Sequence, residues 1–333
     1  MTHHARQQTH AVITAAGGPE VLVLESTGIP EPGPRQLLIR VAAAGVNRHD
    51  CNQRARGPVS THTNTPGLEV AGVVEAVGNQ VRRFAPGDRV CALVDGGGYA
   101  QYALADEALV LPIPAGLDFV GAASLPEAAF TTWYNIFVLA ALQPGEAVLI
   151  HGGTSGVGVF AIQLLSALGH DVYATCGSDD KCEVAVALGA KAAINYRKEK
   201  FDSQMTRRLG RDIDVVLDMS GGAHTAASLD ALAWRGRIVH LSGGRNADFS
   251  APLAVIMRKE ARITGSLMRP LPLAEKTRVA QALSERVWPL ISVSIHPRVA
   301  EVFALAQVRE AHVCMERGEH VGKVMLSLEP WAD

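Results

Sequence analysis

The 333-residue sequence has almost no net charge, −2 from 31 Lys and Arg against 33 Asp and Glu, and the basic residues are scattered. That excludes the basic face by which nucleic acids and anionic membranes are gripped. Cysteine is scarce: Cys51, Cys91, Cys176, Cys182 and Cys314 are five in number, odd, with no C-x-x-C pair. This fits a reducing compartment better than a disulfide framework. The opening Met-Thr-His-His-Ala-Arg-Gln-Gln lacks the apolar core of a secretory signal. The most apolar helical candidate, Ala128 to Leu142, is broken by Thr131, Thr132 and Asn135 and is shorter than the ~20 residues that span a bilayer. A soluble cytoplasmic protein without membrane or nucleic-acid partners is the expectation. No internal repeat or low-complexity segment is visible.

What is present is a hydrophobic content of 48%, ample for a core, in a chain long enough for about two domains. The sequence turns on residues 147–169. A short apolar run, Ala147 to Ile150, reads as a buried parallel strand; Gly152, Gly153, Gly156 and Gly158 follow, and then a helix as far as Gly169. Strand, glycine turn and helix let backbone N–H groups and a helix N-terminus approach a pyrophosphate. The spacing, Gly153-Thr154-Ser155-Gly156-Val157-Gly158, is not the strict G-x-G-x-x-G, since Ser155 replaces the middle glycine. A glycine cluster alone also serves any tight turn, but the flanking strand and helix favour a dinucleotide.

Residues before about 125 read as short strands with turns at Ala16-Gly-Gly-Pro19 and Ala85-Pro-Gly-Asp88, an all-β unit. After Leu125, strands at 171–175, 192–195, 214–218, 237–241 and 261–266 alternate with helices at 178–188 and 226–233. That alternation predicts a doubly wound parallel sheet. A helix over 308–317 and a strand over 323–328 should fold back on the β unit.

Seven stretches then point to a family: Ala44-Gly-Val-Asn-Arg-His-Asp50, Pro66-Gly-Leu-Glu-Val-Ala-Gly72, Phe84-Ala-Pro-Gly-Asp-Arg-Val90, Leu125-Pro-Glu-Ala-Ala-Phe-Thr-Thr-Trp133, the glycine turn, Ile194-Asn-Tyr-Arg197 and Gly318-Glu-His-Val-Gly-Lys323. Together they resemble the medium-chain dehydrogenase/reductase superfamily, and within it the zinc-free quinone oxidoreductase branch that includes zeta-crystallin. The resemblance implies an α/β protein. A GroES-like β-barrel domain (1–125, completed by 270–333) would be joined to a doubly wound Rossmann domain (126–269), with the active site between them. It also implies a homodimer whose Rossmann sheets join across the sixth strand.

In zinc-dependent relatives a cysteine ligand stands at the position of Asn47 and a histidine at that of Leu68; neither residue here replaces them, and no cysteine lobe follows Cys91. No metal is expected. The second strand of the α/β half ends Tyr173-Ala-Thr-Cys-Gly-Ser178, without the acidic residue that holds the ribose of NAD, which suits NADPH. By resemblance Ser178, Lys181 and Tyr196 surround the 2′-phosphate and adenine. Asp179 and Asp180 fit a helix start capped by Ser178.

For the reacting end, Asn47 either hydrogen-bonds the nicotinamide ribose or the acceptor carbonyl, or satisfies its own turn. Asp50 is a catalytic candidate that could instead orient Arg48 or backbone. His49 is a proton donor or a structural residue. Thr131 lies against the cofactor by resemblance, or bonds back to its own helical turn. Ser220, Leu241, Ser242 and Gly243, at the carboxyl ends of strands, are expected contacts; Ser266, Leu267 and Met268 resemble the segment beside the carboxamide, and Lys323 either reaches the cofactor or stays at the surface. Arg54 and Arg56 fall in a polar stretch read as loop, where either could bind an anionic acceptor but solvated charges are expected. The function implied is NADPH-dependent hydride transfer to a quinone or related α,β-unsaturated carbonyl. The alternatives are an enoyl-thioester reductase of the same fold and a non-catalytic NADPH-binding protein.

Overall fold

The computed structural model describes residues 6–58, 63–242 and 248–328. The chain divides into two compact units. The β unit comprises Met1–Glu127, Pro272–Ser292 and Pro297–Asp333, and the α/β unit Ala128–Leu271 with Val293–His296.

Along the chain, β1 (Gln7–Ile13) and β2 (Leu22–Gly28) form an antiparallel ribbon, followed by β3 (Gln36–Val46) and helix α1 (Arg48–Arg56). Then come β4 (Glu69–Val77), β5 (Arg89–Leu93), β6 (Tyr102–Asp106), β7 (Val110–Pro112) and the short helix α2 (Phe119–Ala123). Helix α3 (Pro126–Trp133) runs into a π-helical stretch, Tyr134–Leu139. The α/β unit continues with β8 (Ala147–His151), α4 (Gly156–Ala167), β9 (Asp171–Cys176), α5 (Asp179–Ala187), β10 (Ala192–Asn195), α6 (Ser203–Leu209), β11 (Ile213–Asp218), α7 (Thr225–Ala231), β12 (Leu232–His240), α8 (Leu253–Lys259) and β13 (Arg262–Gly265). The β unit is completed by α9 (Leu273–Arg286), β14 (Val299–Ala304), α10 (Val308–Arg317) and β15 (Lys323–Ser327).

The α/β sheet has the order β10-β9-β8-β11-β12-β13 with every pair parallel, the doubly wound arrangement expected. The strand order reverses beside β8, and in such sheets ligands bind at the carboxyl edge where that happens. Residues alternate between two apolar cores, one holding Val148, Ile150, Val215 and Leu217 and the other Leu149, Tyr173, Val216 and Ile238. In the β unit β15 lies between β14 and β3, so the late strand does return to the early sheet, parallel to the former and antiparallel to the latter.

Residues 48–56 are helical, not the loop expected of Arg54 and Arg56. The polar sequence RHDCNQRAR has little apolar periodicity, but its start is held by Asp50, whose carboxylate accepts from the Asn47 N–H at 2.8 Å. Arg54 is 2% exposed. It donates to Gly17 O at 3.1 Å, His312 Nδ1 at 3.2 Å and Glu316 Oε1 at 2.5 Å, so it is a structural charge and not a solvated one.

Candidate functional site

In the β unit, Asn47 follows β3 as the N-cap of α1, Glu69 begins β4 and Lys323 begins β15, neighbouring strands that bring the three side chains together. Lys323 Nζ donates to Asn47 Oδ1 at 2.7 Å and is ion-paired with Glu69 Oε1, while Asn47 Nδ2 donates to the same Oε1 at 2.9 Å. The other Glu69 oxygen accepts from the Glu127 N–H at 2.8 Å, in the first turn of α3. Glu69 is 0% and Lys323 4% exposed, so Lys323 is not the surface residue that a terminal lysine suggests. A buried ion pair persists only when its remaining polar atoms are also bonded, and here they close a ring of three. Asn47 is half-buried, and both ends of its amide already serve this ring.

Asp50 lies beneath, fully buried, with Asn47 N and Tyr99 OH (2.9 Å) on one oxygen and Gly67 N (3.2 Å) on the other. It orients backbone, not Arg48, which donates to Met315 O. Burial pushes its carboxyl up to about 6 against the pull of those hydrogen bonds. Among the described residues no group of three or more His, Cys, Asp and Glu is placed to hold a metal ion.

In the α/β unit, β8 delivers the turn 152–155 and Ser155 caps α4, its Oγ accepting from Gly158 N at 3.0 Å. A Cβ on Gly158 would stand 2.3 Å from Gly152 O, so only glycine lets the helix start this close to the strand. Thr154 is buried, while Ser155, Gly156 and Val157 are half-buried. Such a turn fits a pyrophosphate, which needs backbone N–H donors and no side chain in the way.

Ser178 caps α5, accepting from Lys181 N at 3.3 Å. Tyr196, 41% exposed, places its hydroxyl over Gly177, where a Cβ would meet it at 2.9 Å. Ser178, Lys181 and Tyr196 thus gather where β9 and β10 end. Asp179 is ion-paired with Lys198 and accepts from Asn195 Nδ2 at 2.9 Å.

The remaining expected contacts flank the carboxyl ends of β11, β12 and β13. Ser220 donates to Asp218 Oδ1, Leu241 N to Asp218 O at 2.8 Å, and Ser242 follows half-buried. Ser266 Oγ donates to Asn135 Oδ1 at 2.7 Å; Leu267 is 63% exposed and Met268 8%. Thr131 lies on α3, 8% exposed, and its carbonyl accepts from Asn135 Nδ2. Gly243 lies outside the described residues.

Sequence reasoning missed Glu69 and a row of polar side chains along the carboxyl edge. Thr175, His151, Asp218 and His240 are in register on adjacent strands and share one face. His151 joins Thr175 Oγ1 (2.9 Å) and Ser228 Oγ (2.8 Å), and burial pushes it down to about 4. Asp218 pairs with His240 Nδ1 at 3.0 Å; burial pushes its carboxyl up, but His240 and Ser220 outweigh it and hold it below the usual range. The missed signal was polarity in the closing residues of apolar strands, where a buried polar group needs a partner.

Residues 33–115 match the family model of the alcohol dehydrogenase GroES-like domain, and residues 156–285 that of the zinc-binding dehydrogenases. The chain is 34% identical over 326 residues to the quinone oxidoreductase of Sus scrofa, covering 94% of this chain and 95% of that one. It is 30% identical over 331 residues to a 2-haloacrylate reductase of Burkholderia sp, covering 95% and 98%. Among solved structures, Escherichia coli quinone oxidoreductase complexed with NADPH superposes with a TM-score of 0.82 at 26% identity, over 96% of this chain and 99% of that one.

Proposed function

Because the chain belongs to the quinone oxidoreductase branch of the medium-chain dehydrogenase/reductase superfamily, we propose that it is an NADPH-dependent, zinc-independent reductase of a quinone or related α,β-unsaturated carbonyl. The observation that carries the cofactor half of this reading is the end of β9. No carboxylate stands on the strand end itself, and Asp179, the first acidic residue beyond it, is already paired with Lys198. Lys181, Ser178 and Tyr196, gathered there, would receive a 2′-phosphate, and the turn 152–158 the pyrophosphate. Bound there, NADPH supplies the hydride.

The acceptor half is supported by the activity in the name of the Sus scrofa relative. On the protein's side, Asn47 and Lys323 are the donors offered to the acceptor's oxygen: each has N–H capacity beyond the bonds of the Glu69 ring. Asp50 has the part of a positioning residue, holding the turn that carries Asn47. Zinc independence is supported by Asn47 itself. A residue bonded to an ammonium is a poor first ligand for a dication, and Leu68 offers no ligand atom.

The test is steady-state NADPH oxidation by the zinc-assayed protein with 1,2-naphthoquinone, 9,10-phenanthrenequinone, 2-chloroacrylate and crotonyl thioesters. Turnover of the ortho-quinones without stoichiometric zinc is expected. Preferred turnover of the chloroacrylate or thioester moves the acceptor to activated carbon–carbon double bonds. Tight NADPH binding with no turnover makes the protein a cofactor binder, and one zinc per chain overturns the metal-free mechanism.

A further inference from the structure

We propose that His224 binds the adenosine half of the cofactor, its imidazole face forming, with Tyr196, the aromatic surface on which the adenine lies. The inference rests on the cofactor reading above and extends it to a residue outside the glycine turn and the 2′-phosphate group.

Three rings make a ladder at the carboxyl edge of the α/β sheet. The innermost is His151, buried at the end of β8 and pinned by Thr175 and Ser228, one on each ring nitrogen. His224 stands on it with ring centroids 4.9 Å apart and planes inclined by 31°. Tyr196 follows, 5.3 Å from His224 and inclined by 49°. The ladder therefore runs from a fixed, buried ring to an exposed one, and its outer ring is the residue beside Ser178 and Lys181.

His224, like the outer Tyr196, has no side-chain hydrogen bond among the described residues, whereas His151 is bonded at both nitrogens. It occupies the N-cap position of α7, yet its side chain makes no capping hydrogen bond. Neither ring nitrogen has a hydrogen-bond partner among the described residues, although the side chain is half-buried. A buried polar group is normally bonded, so a half-buried imidazole without a partner is one that a ligand can complete. Its neighbours fix where the ring is without using its polar edge. A purine has the flat face and polar rim that such a ring accepts, and a base stacked on an aromatic ring adds measurably to affinity.

The experiment measures 2′,5′-ADP, NADPH and reduced nicotinamide mononucleotide binding to the full chain by calorimetry and nucleotide fluorescence, for wild type, His224→Ala and His224→Phe. His224→Ala is expected to weaken 2′,5′-ADP and NADPH roughly tenfold or more, one stack's worth. The mononucleotide, which lacks adenosine, should bind unchanged. His224→Phe keeps a ring on the ladder and should recover most of the loss, which a collapse of α7 would not allow. Unchanged 2′,5′-ADP binding by His224→Ala, or an equal loss for the mononucleotide, overturns the proposal. Failure of wild type to bind either NADPH or 2′,5′-ADP instead removes the cofactor reading beneath it.

Discussion

The two polar centres of this molecule are finished to different degrees. In the β unit Glu69, Lys323 and Asp50 are 0–4% exposed, and their polar contacts are to one another, to Asn47, to Tyr99 and to backbone. At the carboxyl edge of the α/β unit Tyr196 is 41% exposed and His224 has unbonded nitrogens. A buried charge must be satisfied before anything binds, because leaving it alone costs several kcal/mol. A rim that faces solvent bears no such cost and can wait for a ligand. One centre is closed around its own charges and keeps only the spare N–H groups of Asn47 and Lys323 for a ligand, and the other is open along its rim.

The sharpest way to break that contrast is Lys323→Met. It strands the Glu69 carboxylate and should cost about 3–5 kcal/mol of stability in urea unfolding. The double variant Glu69→Gln/Lys323→Met removes both charges and should recover most of it. A single-variant loss below about 1 kcal/mol would mean that water reaches the ring and that it is not closed. On the receiving side, Gly158→Ala should cost less stability, about 1–3 kcal/mol, the scale of a forced overpacking, because its Cβ meets Gly152 O, and should weaken NADPH by displacing the turn.

Acid separates the units next. His151 is neutral in the folded α/β unit and pushed down to about 4 by burial, whereas unfolded it takes a proton below 6.5. Its contribution is therefore present above pH 6.5 and lost as pH falls toward 4, about 1.4 kcal/mol per pH unit. In the β unit His312, pushed down to about 3 by burial and then by Arg54, loses stability the same way. There Asp50 opposes it: raised to about 6 from 3.8, it gains stability as pH falls between those values. That leaves the partly exposed His10, also lowered by burial, as the β unit's remaining debit. Hydrogen exchange at pH 7 and pH 5 should show the larger loss of protection in β8 and β11. Equal loss in β3 and β4 would contradict the opposed titrations. The smallest effect expected is Lys181→Ala, about tenfold weaker NADPH with NADH little changed; equal losses would remove its 2′-phosphate role.

Much of the α/β unit was legible because its cues are local. Apolar runs, a glycine turn and a cap at Ser178 lie within a few residues of what they build, and the doubly wound parallel sheet follows from the alternation. The β unit's centre was not, because its pairings are distant. Glu69 sits in Gly-Leu-Glu-Val-Ala-Gly, where a carboxylate amid apolar strand residues demands a counter-charge, but Lys323 is 254 residues away. Helix α1 was passed over for the same reason: its face is polar because Arg54 is matched by Glu316 and His312 on α10, not by its own sequence. The Asn47–Asp50 spacing was the one local clue to it.

The place of β15 between β14 and β3 has a consequence for synthesis. On the ribosome Glu69 emerges long before Lys323, and at 5–20 residues per second the wait is on the order of tens of seconds. The α/β unit is translated in that interval almost in full and can fold while the early strands still lack their closing partner. A nascent chain stalled before β15 should therefore protect β8 and β9 from protease while β3 and β4 remain cleavable.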